Sequence, residues 1–156
     1  MPCTTSPAGR PWKSTLLTLL LPWVLCAAAQ AQTMVSIDRS VVHLREGAGT
    51  QHDAVWKLSR GYPLKVIGKR GGWLRVRDFE NDTGWVLARL TGRKAHRVVK
   101  VEVANLRSAA GTKARRIGQL HYGEVVRTLA HRPGWVRVKR HDGRIGWVAR
   151  RLLWGW

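Results

Sequence analysis

The sequence predicts an all-β protein: two small barrels in tandem after an N-terminal signal peptide. Three observations carry this. Residues 44–90 recur as 106–152 at a constant offset of 62, without a gap, and 17 of the 47 paired positions are identical. Short runs alternate apolar and polar residues with the period of a half-buried strand. Clusters of Gly, Asn and Asp separate those runs, as turns between strands require.

The elements follow in chain order. Residues 1–31 read as a signal peptide. Arg10 and Lys13 supply the positive start, 16–29 the apolar stretch, and Ala29-Gln30-Ala31 a small-x-small cleavage site. The apolar run is shorter than the ~20 residues a membrane span needs. Cleavage after Ala31 places the mature protein in the periplasm or outside the cell. It also removes both cysteines, Cys3 and Cys26, so no disulfide or thiol chemistry is expected. Repeat 1 covers 32–90, a basic linker 91–97, and repeat 2 98–156. Within them, 64–67 and 125–129 are β-rich runs that each follow a Gly. Residues 73–77 and 135–139 alternate cleanly, with Leu74 and Val76 on one side and Trp73, Arg75 and Arg77 on the other. Residues 99–103, Val-Lys-Val-Glu-Val, read as a further half-buried strand. Each repeat thus holds four to five short strands punctuated by Gly, a pattern that folds as a compact barrel.

Charge narrows the setting. The chain carries a formal charge of +19, and loss of Arg10 and Lys13 leaves +17 on the two repeats. An exported protein this basic suits polyanionic surroundings such as wall polymers or anionic surfaces. Nucleic acid attracts the same charge, but export makes it an unexpected partner.

The residues shared by the copies resemble a bacterial SH3 domain of the SH3b type. They are Leu44-Arg45 with Gly49, Gly61, Gly72-Trp73 with Val76, and Gly84-Trp85-Val86 with Leu90. Their counterparts are Leu106-Arg107 with Gly111, Gly123, Gly134-Trp135 with Val138, and Gly146-Trp147-Val148 with Leu152. The tandem, the Val55-Trp56 pair and the closing Leu153-Trp154-Gly155-Trp156 resemble a proteobacterial group of exported double-SH3b proteins. Members of that group often carry a Cys pair in the second repeat; this sequence has none there.

Catalytic chemistry is not expected. Ser36, Ser40, Ser59 and Ser108 sit in no nucleophile elbow. Asp78, Glu80 and Asp82 lack the glycine and distal glutamate of a calcium loop. His121, His131 and His141 recur every ten residues, but their counterparts Ser59, Lys69 and Phe79 cannot ligate alike. No metal site and no cofactor are expected.

Binding residues are therefore the functional candidates: Trp56, Tyr62, Trp73, Arg75, Tyr122, Trp135 and Arg137. Trp73 and Trp135 open a strand after a loop, where eukaryotic SH3 domains place a ligand-contacting Trp; by that resemblance they stack on a ligand, and otherwise they are core. Trp56 is set apart because its counterpart is Gly118. Tyr62 and Tyr122 both stack and hydrogen-bond. Arg45 and Arg107 either grip a carboxylate or brace the adjacent loop. Trp85 and Trp147 are expected to serve structure. The resemblance implies a non-enzymatic envelope module that holds peptidoglycan through its stem peptides. The alternatives are a scaffold that docks an envelope protein and unspecific polyanion binding.

Overall fold

A computed structural model describes residues 33–156; the expected signal peptide lies outside them. Repeat 1 contains β1 (Met34–Ile37), β2 (Val41–Arg45), β3 (Ala54–Ser59), β4 (Pro63–Arg70), β5 (Trp73–Arg77), β6 (Thr83–Leu87) and β7 (Thr91–Gly92). Repeat 2 contains β8 (His96–Val99), β9 (Val103–Arg107), β10 (Arg116–His121), β11 (Val125–Arg132), β12 (Trp135–Lys139), β13 (Ile145–Ala149) and β14 (Leu153–Gly155). A single 3-10 turn precedes the last strand of each, Ala88–Leu90 and Arg150–Leu152. Every strand of repeat 1 begins 62 residues before its partner in repeat 2, so the duplication runs from Met34 to Gly92, beyond 44–90 chiefly at its start.

Each repeat is one antiparallel sheet. The orders are β3-β2-β6-β5-β4-β1-β7 and β10-β9-β13-β12-β11-β8-β14. Strands from both ends of the sheet meet in one core: Leu58 from β3 and Ile37 from β1 share it with Leu44, Leu64, Val76 and Val86. A single sheet does this only by curling on itself, which makes the barrel. In repeat 2 Leu120, Val99, Leu106, Val126, Val138 and Val148 repeat the arrangement. The burial of Val76 and Val86, both fully enclosed, follows the alternation of their strands.

Two glycine pairs explain why those marks persist. Gly84 and Gly146 lie where β6 and β13 cross over the Leu of the Leu-Arg pair. A Cβ there would sit 2.5 Å from Leu44 Cγ and 2.7 Å from Leu106 Cγ. Gly61 and Gly123 hold φ of 84° and 76° at the turn into β4 and β11, a conformation other residues avoid.

The chain departs from the sequence reading at the junction. Residues 99–103 are not one strand: Val99 ends β8, Val103 opens β9, and 100–102 turn between them. The apolar alternation arises because Val99 is core and Val101 packs against it across the turn. The segment 91–97 is also not a plain linker. Thr91–Gly92 pairs with β1, and His96 already belongs to β8, which β14 covers in the same way. Each sheet ends on its own last strand, paired with its first, so only 93–95 lie between strands.

Both barrels belong to one compact unit. Ser36 Oγ donates to Lys94 O at 2.8 Å, and Tyr122 of repeat 2 donates to Glu80 of repeat 1. Gly61 abuts the ring of His96 and Val125, and Gly155 abuts Pro63.

Candidate functional site

The outward side of each sheet carries a row of Arg and Trp. β5, β6 and β2 set Arg75 opposite Trp85 and Trp85 opposite Arg45. β12, β13 and β9 repeat this with Arg137, Trp147 and Arg107. Directly opposed residues of neighbouring strands lie on one side of the sheet, so each Trp stands between two Arg positions. Arg132 adds a third in repeat 2, its Cζ 5.4 Å from the Trp147 ring centre. Trp85 and Trp147 are half-buried on this outer side rather than in the core. Their signal was present in the sequence: where Val86 points inward, its strand neighbour must point out.

Arg45 and Arg107 resolve to the bracing role. Arg45 Nη1 donates to His52 O at 2.6 Å and Arg107 Nη1 to Ala114 O at 2.7 Å, each clamping the loop that follows its own strand. Arg75 and Arg137 stay exposed and free of such a bond among the described interactions. Trp73 and Trp135 stand half-buried at the strand starts, facing Leu87 and Ala149 across the sheet. Trp56, 56% exposed, stands on the edge strand β3.

Tyr62 and Tyr122 occupy the junction instead. Phe79 lies between them, with ring centres 6.4 Å from Tyr62 and 5.4 Å from Tyr122. Tyr62 donates to Asp78 Oδ2 at 3.4 Å. Burial and then the Asp78 charge push its phenol well above the ordinary range. Asp78 is itself raised, chiefly by burial, although Glu80 N and Asp82 N both donate to its Oδ1 at 2.9 Å. In repeat 2 the same two positions hold Glu124 and Arg140, joined as an ion pair at 2.7 Å. The sequence reading did not couple these positions, because neither residue type is shared between copies.

A groove of about 900 Å³ opens between the barrels. Trp135 and Trp154 line it, together with Lys65 and Arg77 from repeat 1 and Arg97, Lys100, Arg150 and Arg151 from repeat 2. Asp78 is the one acidic residue in its lining. Arg97 and Trp154 were not among the sequence candidates: Arg97 belongs to no motif, and Trp154 entered only as part of the closing Leu153-Trp154-Gly155-Trp156. Among the described residues, the one closely spaced set of three metal-ligating side chains is Asp78, Glu80 and Asp82. The first of these is occupied by backbone donors, and the three recurring histidines form no such set.

This geometry is matched by one family model. The bacterial SH3 domain matches twice, over residues 40–91 and 102–153. No curated protein matches the sequence. Among solved structures, NlpC1 from Trichomonas vaginalis is similar at 17% identity and a TM-score of 0.37, over 81% of this chain and 47% of that one. NlpC2 from Trichomonas vaginalis is similar at 18% identity and a TM-score of 0.36, over 80% and 48%. An NlpC/P60 family protein from Bacillus cereus is similar at 13% identity and a TM-score of 0.38, over 80% and 56%. The chain spans about half the length of each of these. Two family matches that together cover most of the chain, on two barrels of identical strand order, settle the relationship: the chain belongs to the bacterial SH3 domain family.

Proposed function

We propose that this protein is an exported, non-enzymatic binding module of the cell envelope, and that it holds peptidoglycan through the stem peptides. Bacterial SH3 domains commonly serve as cell-wall binding modules. The observation that carries the reading is the duplicated outward row, Arg75-Trp85-Arg45 and Arg137-Trp147-Arg107. An indole offers a flat apolar surface for a peptide or sugar ring. A free guanidinium beside it offers two parallel donors to a carboxylate. Trp85 and Trp147 with Arg75 and Arg137 form the row in this proposal, Trp73, Trp135 and Trp56 extend it as further ligand contacts, and Tyr62 and Tyr122 pack at the junction of the two barrels. Export rests on Ala29-Gln30-Ala31 after a short apolar run; a mature N-terminus at Gln32 is its direct check.

Sedimentation with purified sacculi tests the proposal. The protein is expected in the pellet at low salt, and still there at an ionic strength that shortens electrostatic reach to a few ångströms. Loss of all pelleting at that salt would favour the second reading, binding by the +17 charge alone. Absence from the pellet at any salt would favour a protein partner.

A further inference from the structure

We infer that the groove between the two barrels is an oxyanion site centred on Arg97, taking a carboxylate or phosphate group. Arg97 lies within β8, opposite Val126 of β11 and Gly155 of β14, and is only 6% exposed. Its Nε is enclosed and has no hydrogen-bond partner, and none of the ion pairs among the described residues includes it. An enclosed guanidinium N–H without a partner is unfavourable. Burial, with a smaller push from Arg150, accordingly lowers its pKa.

The fold does not require this charge. The position 62 residues earlier holds Val35, which packs into the core of repeat 1. Where repeat 1 has an apolar residue, repeat 2 therefore carries a cation with no partner among the described residues. The acid that could have served, Asp78, spends Oδ1 on Glu80 N and Asp82 N and Oδ2 on Tyr62. Lys65, Arg77, Lys100 and Arg150 surround the same groove, so the local charge attracts an anion from several sides. The planar fork of Arg97 matches the two oxygens of a carboxylate or phosphate. At about 900 Å³ the groove admits such a group together with part of the molecule that bears it. The site goes beyond the envelope reading, and its failure would leave that reading standing.

Titration of the purified protein with inorganic phosphate and with citrate, at one ionic strength held by chloride, tests the inference. At least one probe is expected to bind and to raise the melting temperature above that in chloride. Binding of phosphate alone assigns a phosphate ligand, of citrate alone a carboxylate, and of both a general oxyanion site. Arg97→Val installs the residue that repeat 1 carries. It is expected to melt no lower than the wild type in chloride and to weaken the probe by about tenfold or more. Arg89→Gln, exposed and outside the groove, is expected to bind as the wild type does. Should Arg97→Val fail to fold, Arg150→Gln at the groove rim carries the test, with binding weakened about threefold or more. Failure of both probes to bind the wild type, or wild-type affinity in the folded groove variant, would overturn the inference.

Discussion

Gly84 shows most directly how one residue fixes the barrel. Its missing side chain lets β6 lie against Leu44, and the two motif marks Leu-Arg and Gly-Trp-Val are the two sides of that one contact. Gly84→Ala forces a Cβ to within 2.5 Å of Leu44 Cγ. Overpacking of this kind typically costs about 1–3 kcal/mol, and urea unfolding of the variant should show a loss in that range. Gly146→Ala should behave alike, because a Cβ there would lie 2.7 Å from Leu106 Cγ and 2.9 Å from the Arg107 carbonyl oxygen. Unchanged stability in both would mean that the strands part easily and that the contact is not what preserves the glycine. The same strand shows what was legible at this scale. The inward Val86 could be read from the sequence, and the outward Trp85 followed from it by alternation. The residue type argued the other way, since Trp is more often enclosed, and periodicity was the better guide. Arg97 was not legible at all: its environment is made by a second barrel and a returning tail, neither of which leaves a local pattern.

At the scale of elements, β8 is the piece on which the two barrels depend. It begins repeat 2, pairs with β11 and β14, and brings His96 against Gly61 of repeat 1. Burial, and then the nearby Arg127 and Lys94 charges, lower the His96 pKa below its ordinary 6.5, against the opposing hydrogen bond to Lys94 O. The folded state therefore favours the neutral ring, and the unfolded chain takes up the proton first as pH falls. Stability contributed by His96 is present above about pH 6.5 and declines as pH drops from there toward the lowered folded pKa. Denaturant midpoints measured from pH 8 to 5 should fall across that window, and His96→Gln should flatten the fall. An equal slope in the variant would place the titrating group elsewhere. The sequence obscured β8 because Val99 and Val101 alternate across a turn as well as along a strand. The core needs an apolar side chain on each side of that turn, and the alternation itself does not distinguish the two cases. The paired positions 62/78 and 124/140 were hidden for a related reason. Tyr with Asp and Glu with Arg fulfil the same bridging role with different chemistry, so identity between copies vanishes where the contact persists.

At the scale of the whole molecule, the described residues are two copies of one barrel held as a unit. The Tyr62-Phe79-Tyr122 row and the Tyr122-to-Glu80 hydrogen bond tie the copies together, and Ser36 holds the three-residue connection between strands through Lys94 O. Calorimetry should show one cooperative transition; two transitions separated by ten degrees or more would show barrels that melt independently. The duplication also places two Trp-Arg rows within one compact unit, and under the proposed function a polymer with repeated stem peptides would engage both at once. The measurement that bears most directly on this account pairs thermal melts with binding to soluble stem-peptide fragments, for the wild type, Trp73→Ala and Trp135→Ala. If these indoles serve the ligand, each variant loses about 1–3 kcal/mol of binding while its melting temperature stays nearly unchanged. Unfolding of both variants, with losses near the about 3–5 kcal/mol of an emptied core, would contradict the account, as would wild-type binding by both.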